Sequence, residues 1–571
     1  MLSFLVNRFG KLSILWIVLI FISCNSDFPN LLKEEYTDNG VAPQATKVLL
    51  IIADGVRGNA LNDIDPKNLR NISLNSLYSH TSLGDYGSNE FTRESGLANI
   101  FTGQKSAKHG VLTSLETLSS QTFIQRLKAN DTKFRSSALT ADNSFAQYLL
   151  NGVDDKKVLA SDDEVVSSFK QTIKEDAQSS LFIAHLSDVN KAGKNNSFES
   201  NNINYRAAIL KLDSQLDEMI VALRQRPLYS SEKWLVIITS SIGGDISYVD
   251  PLDKTLYADN KRNTFTYFYS PSFTRKYLGK PTSSSMPFSG SGIRLQLSSG
   301  NTATSAELYD NSKMNIPSNQ SITMTFFIKQ NSAAGTIHNY PPFFTKRQNT
   351  DVGTGWQFIL ADGKVQAGFS GTSPGKLNSG LINDAKWHVI TYVLDRTNKT
   401  AKIYTDGEVS HAGTAGTTNI TNSYPMIFGK NPNSTSTSGD ITLTNLQIFD
   451  RAFSDADVKQ YSKLAYLTNE NIPYYNNLIG YWPFYDDNGS RIVNDVVNKT
   501  GVLRILNDLS WSSFDEVVPF ITPRITDDTY KLVPNLVDIP FFIYQWYGIV
   551  PTASWALDGQ AWTPPYAIMT Y

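Results

Sequence analysis

The chain is poor in the residue types that cross-link proteins or bind polyanions. Its 571 residues include a single cysteine, Cys24, so no internal disulfide can form. Lys and Arg number 51 against 53 Asp and Glu, which gives a formal net charge of -2. No nucleic-acid partner is expected, because binding to phosphates needs an excess of basic side chains. Histidine is also scarce, with six in the chain and none after His411.

The apolar run near the start is too short to cross a bilayer as a helix. Leu12 to Ile22 is mostly apolar, whereas a spanning helix needs about 20 such residues. Arg8 and Lys11 precede the run, and a small residue, Ser23, stands before Cys24. These features are typical of a secretory signal peptide. With its cysteine, the stretch resembles a bacterial lipoprotein signal, which implies that Cys24 is lipidated and becomes the mature amino terminus.

A polar stretch follows this signal peptide of residues 1–23. Residues 24–46 carry two prolines and the acidic pair Glu34-Glu35, and we interpret them as a flexible tether. Acidic residues after the lipidated cysteine resemble the surface-export signals of Bacteroidetes-type lipoproteins. The resemblance implies a lipid anchor in the outer membrane, at the cell surface or, as an alternative, on the periplasmic face.

The stretch from Lys47 to Arg57, KVLLIIADGVR, is a continuous apolar run that ends in Ala-Asp-Gly. It predicts a fully buried parallel strand that places the Asp54 carboxylate at the carboxyl edge of a sheet, where ligand sites of open α/β sheets lie. Buried strands alternate with helical patterns up to about Phe273, which predicts βαβ units with helices on both faces. Two of these strands, Phe182 to Leu186 and Trp234 to Thr239, run into polar loops.

A second signal follows the first strand. Phe91 to Val111 reads FTRESGLANIFTGQKSAKHGV, in which a polar loop leads to a short amphipathic segment and a Thr-Gly turn. With Asp54 upstream, it resembles the start of the alkaline phosphatase superfamily, particularly its nucleotide pyrophosphatase/phosphodiesterase-like branch. The resemblance implies that Asp54 occupies a metal-binding position and Thr92 the position of the nucleophile. Arg93 is the alternative occupant of the nucleophile's position.

Most other positions of the family's metal ligands carry unsuitable residues. Where the family has an Asp and, four residues later, a His, this chain has Asn190 and Lys194. Where the family has an adjacent Asp-His pair, it has Ser241 and Ile242. Two zinc-like ions need several anionic or imidazole ligands, so we expect no bound metal and a dismantled active site in a retained fold. Lys194 is either a solvated surface lysine or a cation that holds an anion without metal.

The composition changes near Ser283. From residue 283 to about 505 the chain is rich in Ser, Thr, Asn and Gly, with short alternating segments, which predicts a β-sandwich. Four stretches of this span resemble a laminin-G-like or concanavalin A-like jelly roll: AKWHVI from Ala385, AKIYTDG from Ala401, IFDRAFS from Ile448 and GYWPF from Gly480. That fold hosts sugar binding, protein binding and spacers alike, so it does not by itself choose a function.

Several residues of the sandwich are candidates for binding. Trp356, Trp387 and Trp482 could stack on sugar rings, but burial in the core is favoured because strands alternate inward and outward. His388 is expected to be a packed or surface histidine rather than a metal ligand. Asp406 could bind calcium through its oxygens, although a role in a turn is favoured.

After the sandwich the first domain resumes. Leu536 to Gly559 resembles the closing segment of alkaline phosphatase-like domains. The predicted fold is therefore α/β, an alkaline phosphatase-like parallel sheet sandwiched by helices, with an inserted all-β jelly roll. The predicted parts are residues 47–282 for the first part of the α/β domain, 283–505 for the jelly roll and 506–571 for the closing part.

Three functions from different classes fit these observations. The favoured one is a non-catalytic surface lipoprotein that binds a glycan or a protein through a phosphatase-like scaffold and a lectin-like domain. The second is an accessory or scaffold subunit of an outer-membrane complex for protein or nutrient traffic. The third is a phosphodiesterase, phosphatase or sulfatase with unusual ligands, and only this one would need zinc or calcium as a cofactor.

Overall fold

The computed structural model describes residues 45–247, 253, 255–296, 304–308, 312–432, 439–506 and 510–566. The predicted signal peptide, Cys24 and nearly all of the predicted tether lie outside the described residues. Within the described ranges, no helix is both long and apolar enough to cross a membrane.

The first domain is built on one mixed sheet. Its strands are β1 (Ala45–Ala53), β2 (Ser76–Leu83), β3 (Ser136–Thr140), β4 (Asp155–Val158), β5 (Leu181–Leu186), β6 (Glu232–Thr239), β7 (Asn263–Tyr269) and β8 (Lys276–Tyr277). Their order in the sheet is β4-β3-β5-β1-β6-β7-β2-β8. The first five strands in this order, β4-β3-β5-β1-β6, are parallel, whereas β7 runs antiparallel to both of its neighbours. The predicted parallel sheet is therefore present, extended by an antiparallel part.

Helices cover both faces of this sheet. Before the insertion they are α1 (Gly58–Ile64), α2 (Lys67–Ser73), α3 (Arg93–Thr102), α4 (Ser106–His109), α5 (Phe123–Asn130), α6 (Asn143–Tyr148), α7 (Asp162–Glu175), α8 (Asp188–Asn195) and α9 (Ile203–Arg224). Side chains of β1 alternate between two cores: Leu49 and Ile51 pack with α7 and α9, and Leu50 and Ile52 pack with α3 and α5. Burial on both faces explains why the sequence of β1 is continuously apolar.

The second domain is a sandwich of two antiparallel sheets. Its first strands are β9 (Pro287–Leu295), β10 (Ser305–Leu308), β11 (Ile322–Gln330), β12 (Pro342–Lys346), β13 (Trp356–Ala361), β14 (Lys364–Phe369), β15 (Thr372–Ser373), β16 (Leu377–Leu381) and β17 (Trp387–Asp395). The others are β18 (Thr400–Thr405), β19 (Glu408–Ala415), β20 (Met426–Phe428), β21 (Ile441–Phe449), β22 (Leu478–Trp482), β23 (Ile492–Asn494), β24 (Val502–Leu506) and β25 (Trp511–Val517), with helix α10 (Asp455–Tyr461) after β21.

The two sheets enclose one apolar core. Their strand orders are β16-β14-β13-β12-β20-β10-β24-β23 and β15-β19-β18-β17-β11-β21-β9-β25, with β22 paired to β21. Trp356 and Trp482 are fully buried between the sheets, and Trp387 is buried on the other side of β17. The favoured interpretation of the three tryptophans as core residues is confirmed, and stacking on sugars is excluded for them.

Two predicted boundaries need correction. The sandwich does not end at residue 505, because β25 pairs along its whole length with β9, the first strand of the same domain. The tether does not reach residue 46, because Ala45 and Thr46 already pair with β6. Both segments are joined through backbone hydrogen bonds and carry no continuous apolar run, so their side chains gave little signal.

The chain then returns to the first domain. Short helix α11 (Asp527–Tyr530) leads to α12 (Ile539–Trp546). Ile539, Phe542 and Ile543 pack in the same core as β1, and the Trp546 indole N–H donates to the Lys47 carbonyl at 3.1 Å. The architecture is therefore α/β with an inserted all-β sandwich, as the sequence predicted.

Candidate functional site

Asp54 lies directly after β1, at the carboxyl edge of the sheet. Its backbone N–H donates to the Leu186 carbonyl of β5 at 2.9 Å, which ties the end of β1 to its neighbour. Gly55 follows with φ of 77°, and a Cβ at this position would lie 2.5 Å from Cα of Asn190. The turn therefore needs glycine, both for its conformation and for the close approach of helix α8, which follows β5. The predicted placement of the carboxylate is what the structure has.

Three side chains donate hydrogen bonds to the Asp54 carboxylate, which is fully buried. Ser241 Oγ donates to Oδ1 at 2.5 Å, while Arg93 Nε and His185 Nε2 donate to Oδ2 at 2.6 and 2.8 Å. Arg93 also donates from Nη2 to Asp142 Oδ2 at 2.6 Å. We call Asp54, Arg93, Asp142, His185 and Ser241 the Asp54 cluster.

Arg93 reaches the carboxylate because of how α3 is packed. It is the first residue of α3, and a Cβ at Gly96 on the same helix would lie 1.9 Å from the Ser241 carbonyl oxygen. Only glycine allows the start of α3 to rest this closely on the loop after β6. The side chain of Arg93 is 12% exposed, so its guanidinium is largely shielded from water between two carboxylates.

The charges of the cluster fix its ionisation. Burial by itself raises the pKa of Asp54, but the guanidinium of Arg93, the nearby His185 and the hydrogen bonds from His185 and Ser241 outweigh it and hold that pKa well below its usual range. The two carboxylates in turn raise the pKa of Arg93 against the effect of burial. Asp142 also has a lowered pKa, because the Phe145 backbone N–H and Arg93 outweigh its burial. Asp54 is therefore a stable anion at every physiological pH.

His185 is held in one orientation. It lies on β5, where the parallel register places it beside Ile52 of β1, and its ring stacks on Phe145 with centroids 4.1 Å apart. Its Nδ1 is 2.8 Å from Thr140 Oγ1. Since the ionised carboxylate of Asp54 can only accept, Nε2 carries the hydrogen of their shared bond.

Thr92 has a structural role at the start of α3. It is the N-cap residue: its Oγ1 accepts from the Ser95 N–H at 3.1 Å and donates to the Leu112 carbonyl. These bonds direct the hydroxyl to its own helix and to the loop of Leu112, whereas the neighbouring Arg93 is the residue whose side chain reaches Asp54. Of the two candidates for the nucleophile's position, Arg93 is therefore the one within the site.

The residues at the other predicted ligand positions have different surroundings, and of these Ser241 is the one that contacts the Asp54 carboxylate. Asn190 is buried beside Gly55, and its Oδ1 has no hydrogen-bond partner among the described residues. Lys194 is exposed. Ile242 packs against the apolar core beneath α3, and Ser241 is the donor to Asp54. A protein cation does stand at the Asp54 carboxylate, but it is Arg93 and not Lys194.

The residues around Asp54 do not fit a two-metal centre. Both carboxylate oxygens already accept short hydrogen bonds. The positive guanidinium of Arg93 is one of the donors, and it would repel a metal ion at the same carboxylate. Within the described ranges, no group of three or more His, Cys, Asp or Glu side chains is placed to hold a metal ion. The chemistry of this donor set is that of a closed ion-pair network.

The sequence analysis missed two members of the cluster, His185 and Asp142. Both were visible in principle: the first lies in an apolar strand, and the second follows the end of β3 by two residues. Because the carboxyl ends of parallel strands meet at one edge, polar residues at the ends of β3 and β5 were candidates for the neighbourhood of Asp54.

The polar candidates of the sandwich have local partners. His388 Nδ1 is 2.9 Å from Asp406 Oδ2, and its Nε2 is 3.0 Å from Asp384 Oδ1. Asp406 has φ of 55° in the turn between β18 and β19, and its Oδ1 accepts the Val389 N–H at 2.8 Å. The turn role of Asp406 and the packed role of His388 agree with the prediction. We call Asp384, His388 and Asp406 the His388 cluster.

Comparison with protein families locates the second domain. Residues 299–459 match the family model Laminin_G_3, described as the concanavalin A-like lectin/glucanases superfamily. The chain therefore contains a concanavalin A-like domain, as its four sequence stretches predicted. A search of curated proteins finds no match.

Three solved structures show a distant likeness to the chain. The chain is similar to the binding domain of Paraclostridial Mosquitocidal Protein 1, with 17% identity, a TM-score of 0.25 and coverage of 32% of this chain and 53% of that one. It is similar to the C-terminal periplasmic domain of phosphoethanolamine transferase EptC from Campylobacter jejuni, with 12% identity and a TM-score of 0.30. That match covers 40% of this chain and 80% of the other. It is also similar to an alkaline phosphatase superfamily protein from Vibrio parahaemolyticus, with 11% identity and a TM-score of 0.31. That match covers 41% of this chain and 62% of the other. The chain thus spans about half of the first and less than two thirds of the third.

Proposed function

We propose that this protein is a non-catalytic, lipid-anchored surface protein that binds glycans through its concanavalin A-like domain. In this proposal the phosphatase-like domain is a rigid scaffold without enzymatic activity. The observation that carries the proposal is the guanidinium of Arg93 at the Asp54 carboxylate, in the place of a cationic metal centre.

The geometry supports a non-catalytic domain for two reasons. Asp54 is neither a free base nor a free ligand, because both of its oxygens accept hydrogen bonds and Arg93 already neutralises its charge. The hydroxyl of Thr92 has no basic partner, since it is bonded to backbone groups. An alcohol without a base or a metal to lower its pKa is a poor nucleophile.

Metal binding and phosphodiester hydrolysis test this part of the proposal. We expect the full chain, purified in mild detergent, to bind no stoichiometric zinc in calorimetry and to hydrolyse bis-p-nitrophenyl phosphate no faster than the blank. The matched variant is Asp54→Asn. Binding of one or two zinc ions by the unaltered chain that this variant loses, together with turnover, would show an enzyme instead.

The sandwich offers a polar cavity for sugars. It has a volume of about 480 Å³ and lies among the loops before β11, after β17 and after β21. Amide, hydroxyl, carboxylate and guanidinium groups line it: Asn319, Gln320, Ser321, Asp395, Thr397, Asn398, Asp450 and Arg451. Side chains of this kind hydrogen-bond the hydroxyls of a sugar, and the volume suits a small ligand.

A glycan array probed with the full chain tests the second part. We expect the substitution Asn398→Ala, in the cavity, to weaken binding at least fivefold to those glycans on the array that the unaltered chain binds. Asn488→Ala, an exposed asparagine of the same domain outside the cavity, is the control and should bind as the unaltered chain does. If the unaltered chain bound no glycan on the array, or if both variants bound equally well, the placement of the glycan site in this cavity would be contradicted.

The anchor at Cys24 is part of the same proposal. Palmitate labelling of cells that produce the chain is expected to mark it, and Cys24→Ser is expected to remove the label and release the protein from the membrane fraction. Protease treatment of intact cells distinguishes the cell surface from the periplasmic face, because only a surface protein is accessible to the protease.

A further inference from the structure

A second cavity, of about 320 Å³, lies in the first domain between helices α1 and α2 and the β2–β8 edge of the sheet. Buried side chains form its floor, and exposed ones form its rim. The floor includes Leu61, Leu69, Tyr78 and Tyr267, all at most 5% exposed. Neither the Asp54 cluster nor the sandwich contributes to this cavity.

Aromatic rings form one wall of the cavity. Tyr78 stacks on Tyr267 with centroids 5.0 Å apart, and Tyr277 lies 5.1 Å from Tyr78 with 46% of its own surface exposed. His80 bridges the wall and α1, since its Nε2 is 2.7 Å from the Tyr267 hydroxyl and its Nδ1 is 2.5 Å from Asn62 Oδ1. These bonds hold the ring of His80, so the wall is preformed. Exposed tyrosine faces beside polar groups suit a ring that is apolar on one face and carries hydroxyls at its edge.

The cavity also has an excess positive charge. At its rim Arg70 is paired with Asp65 at 2.7 Å. Arg275 donates from Nε and Nη2 to the Tyr78 hydroxyl at 3.1 and 2.7 Å, and no carboxylate of the described residues lies within ion-pairing distance of it. With one carboxylate and two guanidiniums around it, the cavity favours a ligand with a single negative charge, and a guanidinium fixed on its tyrosine can bind a carboxylate with little loss of freedom.

We propose that this cavity binds an acidic sugar residue, a pyranose ring with one carboxylate. The ring would lie against Tyr277, and its carboxylate would pair with Arg275. The volume accommodates one such ring, so the cavity would recognise a single acidic residue of a glycan. This site is separate from the glycan site proposed for the sandwich.

Calorimetry of the full chain in mild detergent tests the assignment with three probes: glucuronic acid, glucose and benzoate. We expect glucuronic acid to bind at least tenfold more tightly than glucose, because glucose lacks the carboxylate, and more tightly than benzoate, which lacks the hydroxyls. Arg275→Gln should weaken the binding of glucuronic acid at least tenfold, and Tyr277→Ser should also weaken its binding.

The chain supplies a matched control. Arg224 on α9 makes a similar arginine–tyrosine contact outside the cavity, donating from Nη2 to the Tyr269 hydroxyl at 3.0 Å with its guanidinium 6.0 Å from the Tyr269 ring. Arg224→Gln should leave binding unchanged. No binding of glucuronic acid, equal binding in Arg275→Gln, or tighter binding of benzoate would overturn the proposal. Equal binding in Arg275→Gln together with a loss in Asn398→Ala would assign the sugar to the sandwich instead.

Discussion

The Asp54 cluster and the His388 cluster contain similar groups in different surroundings. Each places a histidine beside an aspartate at 2.8 to 3.0 Å. Asp54 is fully buried and has a guanidinium in addition, whereas Asp384 and Asp406 are 46% and 28% exposed and have none. The comparison teaches that burial and one extra cation convert an acid–histidine pair from a surface feature into part of the domain's framework.

The largest expected effect comes from removing the cation of the buried cluster. Arg93→Ala leaves Asp54 as an unpaired buried charge, which should destabilise the α/β domain by about 3–5 kcal/mol. Urea unfolding followed by circular dichroism at 222 nm measures this, because nearly all described helices belong to that domain.

The double variant Arg93→Ala with Asp54→Ala separates charge from packing. It should recover part of the lost stability, since it no longer buries an unpaired carboxylate. As a control, Arg135→Ala removes an arginine whose side chain is 58% exposed and should change stability by no more than about 1 kcal/mol. If Arg93→Ala were as mild as this control, the ion pair would not be a structural element.

The next effect is on acid stability. The pKa of Asp54 is lowered in the folded chain. Its contribution to the free energy of unfolding is therefore fully present above the unfolded pKa, about 3.9, declines below it and is lost as the pH falls through the lowered folded value. Asp54→Asn should cost about 1.5–3 kcal/mol at pH 7 through its weaker hydrogen bonds, and less at pH 3. Urea midpoints across this range measure the difference, and a difference that stays constant with pH would contradict the ionised state.

The smallest effect is at the His388 cluster, and its pH dependence has the opposite sign. Burial lowers the pKa of His388, but its bonds to Asp406 and Asp384 outweigh this and raise it. The contribution of His388 to the free energy of unfolding is therefore fully present below the unfolded pKa, about 6.5. It is lost as the pH rises through the raised pKa of the folded chain. The expected magnitude is about 0.2–1 kcal/mol, because the partners are partly exposed.

Hydrogen exchange of peptides that cover β17 and β18 measures this local effect. Protection in the unaltered chain should decline between pH 6 and pH 9 after correction for the intrinsic exchange rate. His388→Gln should remove the decline, and a variant that keeps it would assign the pH dependence to another group.

The difference between the clusters also explains what could be predicted. Asp406 and His388 are close because β17 and β18 are consecutive strands, and a turn at Asp406 was visible in the Asp-Gly sequence. The members of the Asp54 cluster come from four separate strand ends and one helix start. Arg93, His185 and Ser241 are 39, 131 and 187 positions from Asp54, and only the strand order decides whether they meet.

The sequence by itself determined the buried strand β1, the position of Asp54 at its end, the α/β pattern, the inserted sandwich and the core role of its tryptophans. The strand, the carboxylate at its end, the α/β pattern and the tryptophans follow from local periodicity and turn chemistry. That the sandwich is inserted was implied by the resemblance of Leu536 to Gly559 to a closing segment. The tertiary structure alone decided that Arg93 and not Lys194 supplies the cation, that Thr92 caps α3, and that β25 completes the sandwich. Those outcomes depend on which strands and helix ends pack together, and the free energy of such long-range contacts is not encoded in any single stretch of the chain.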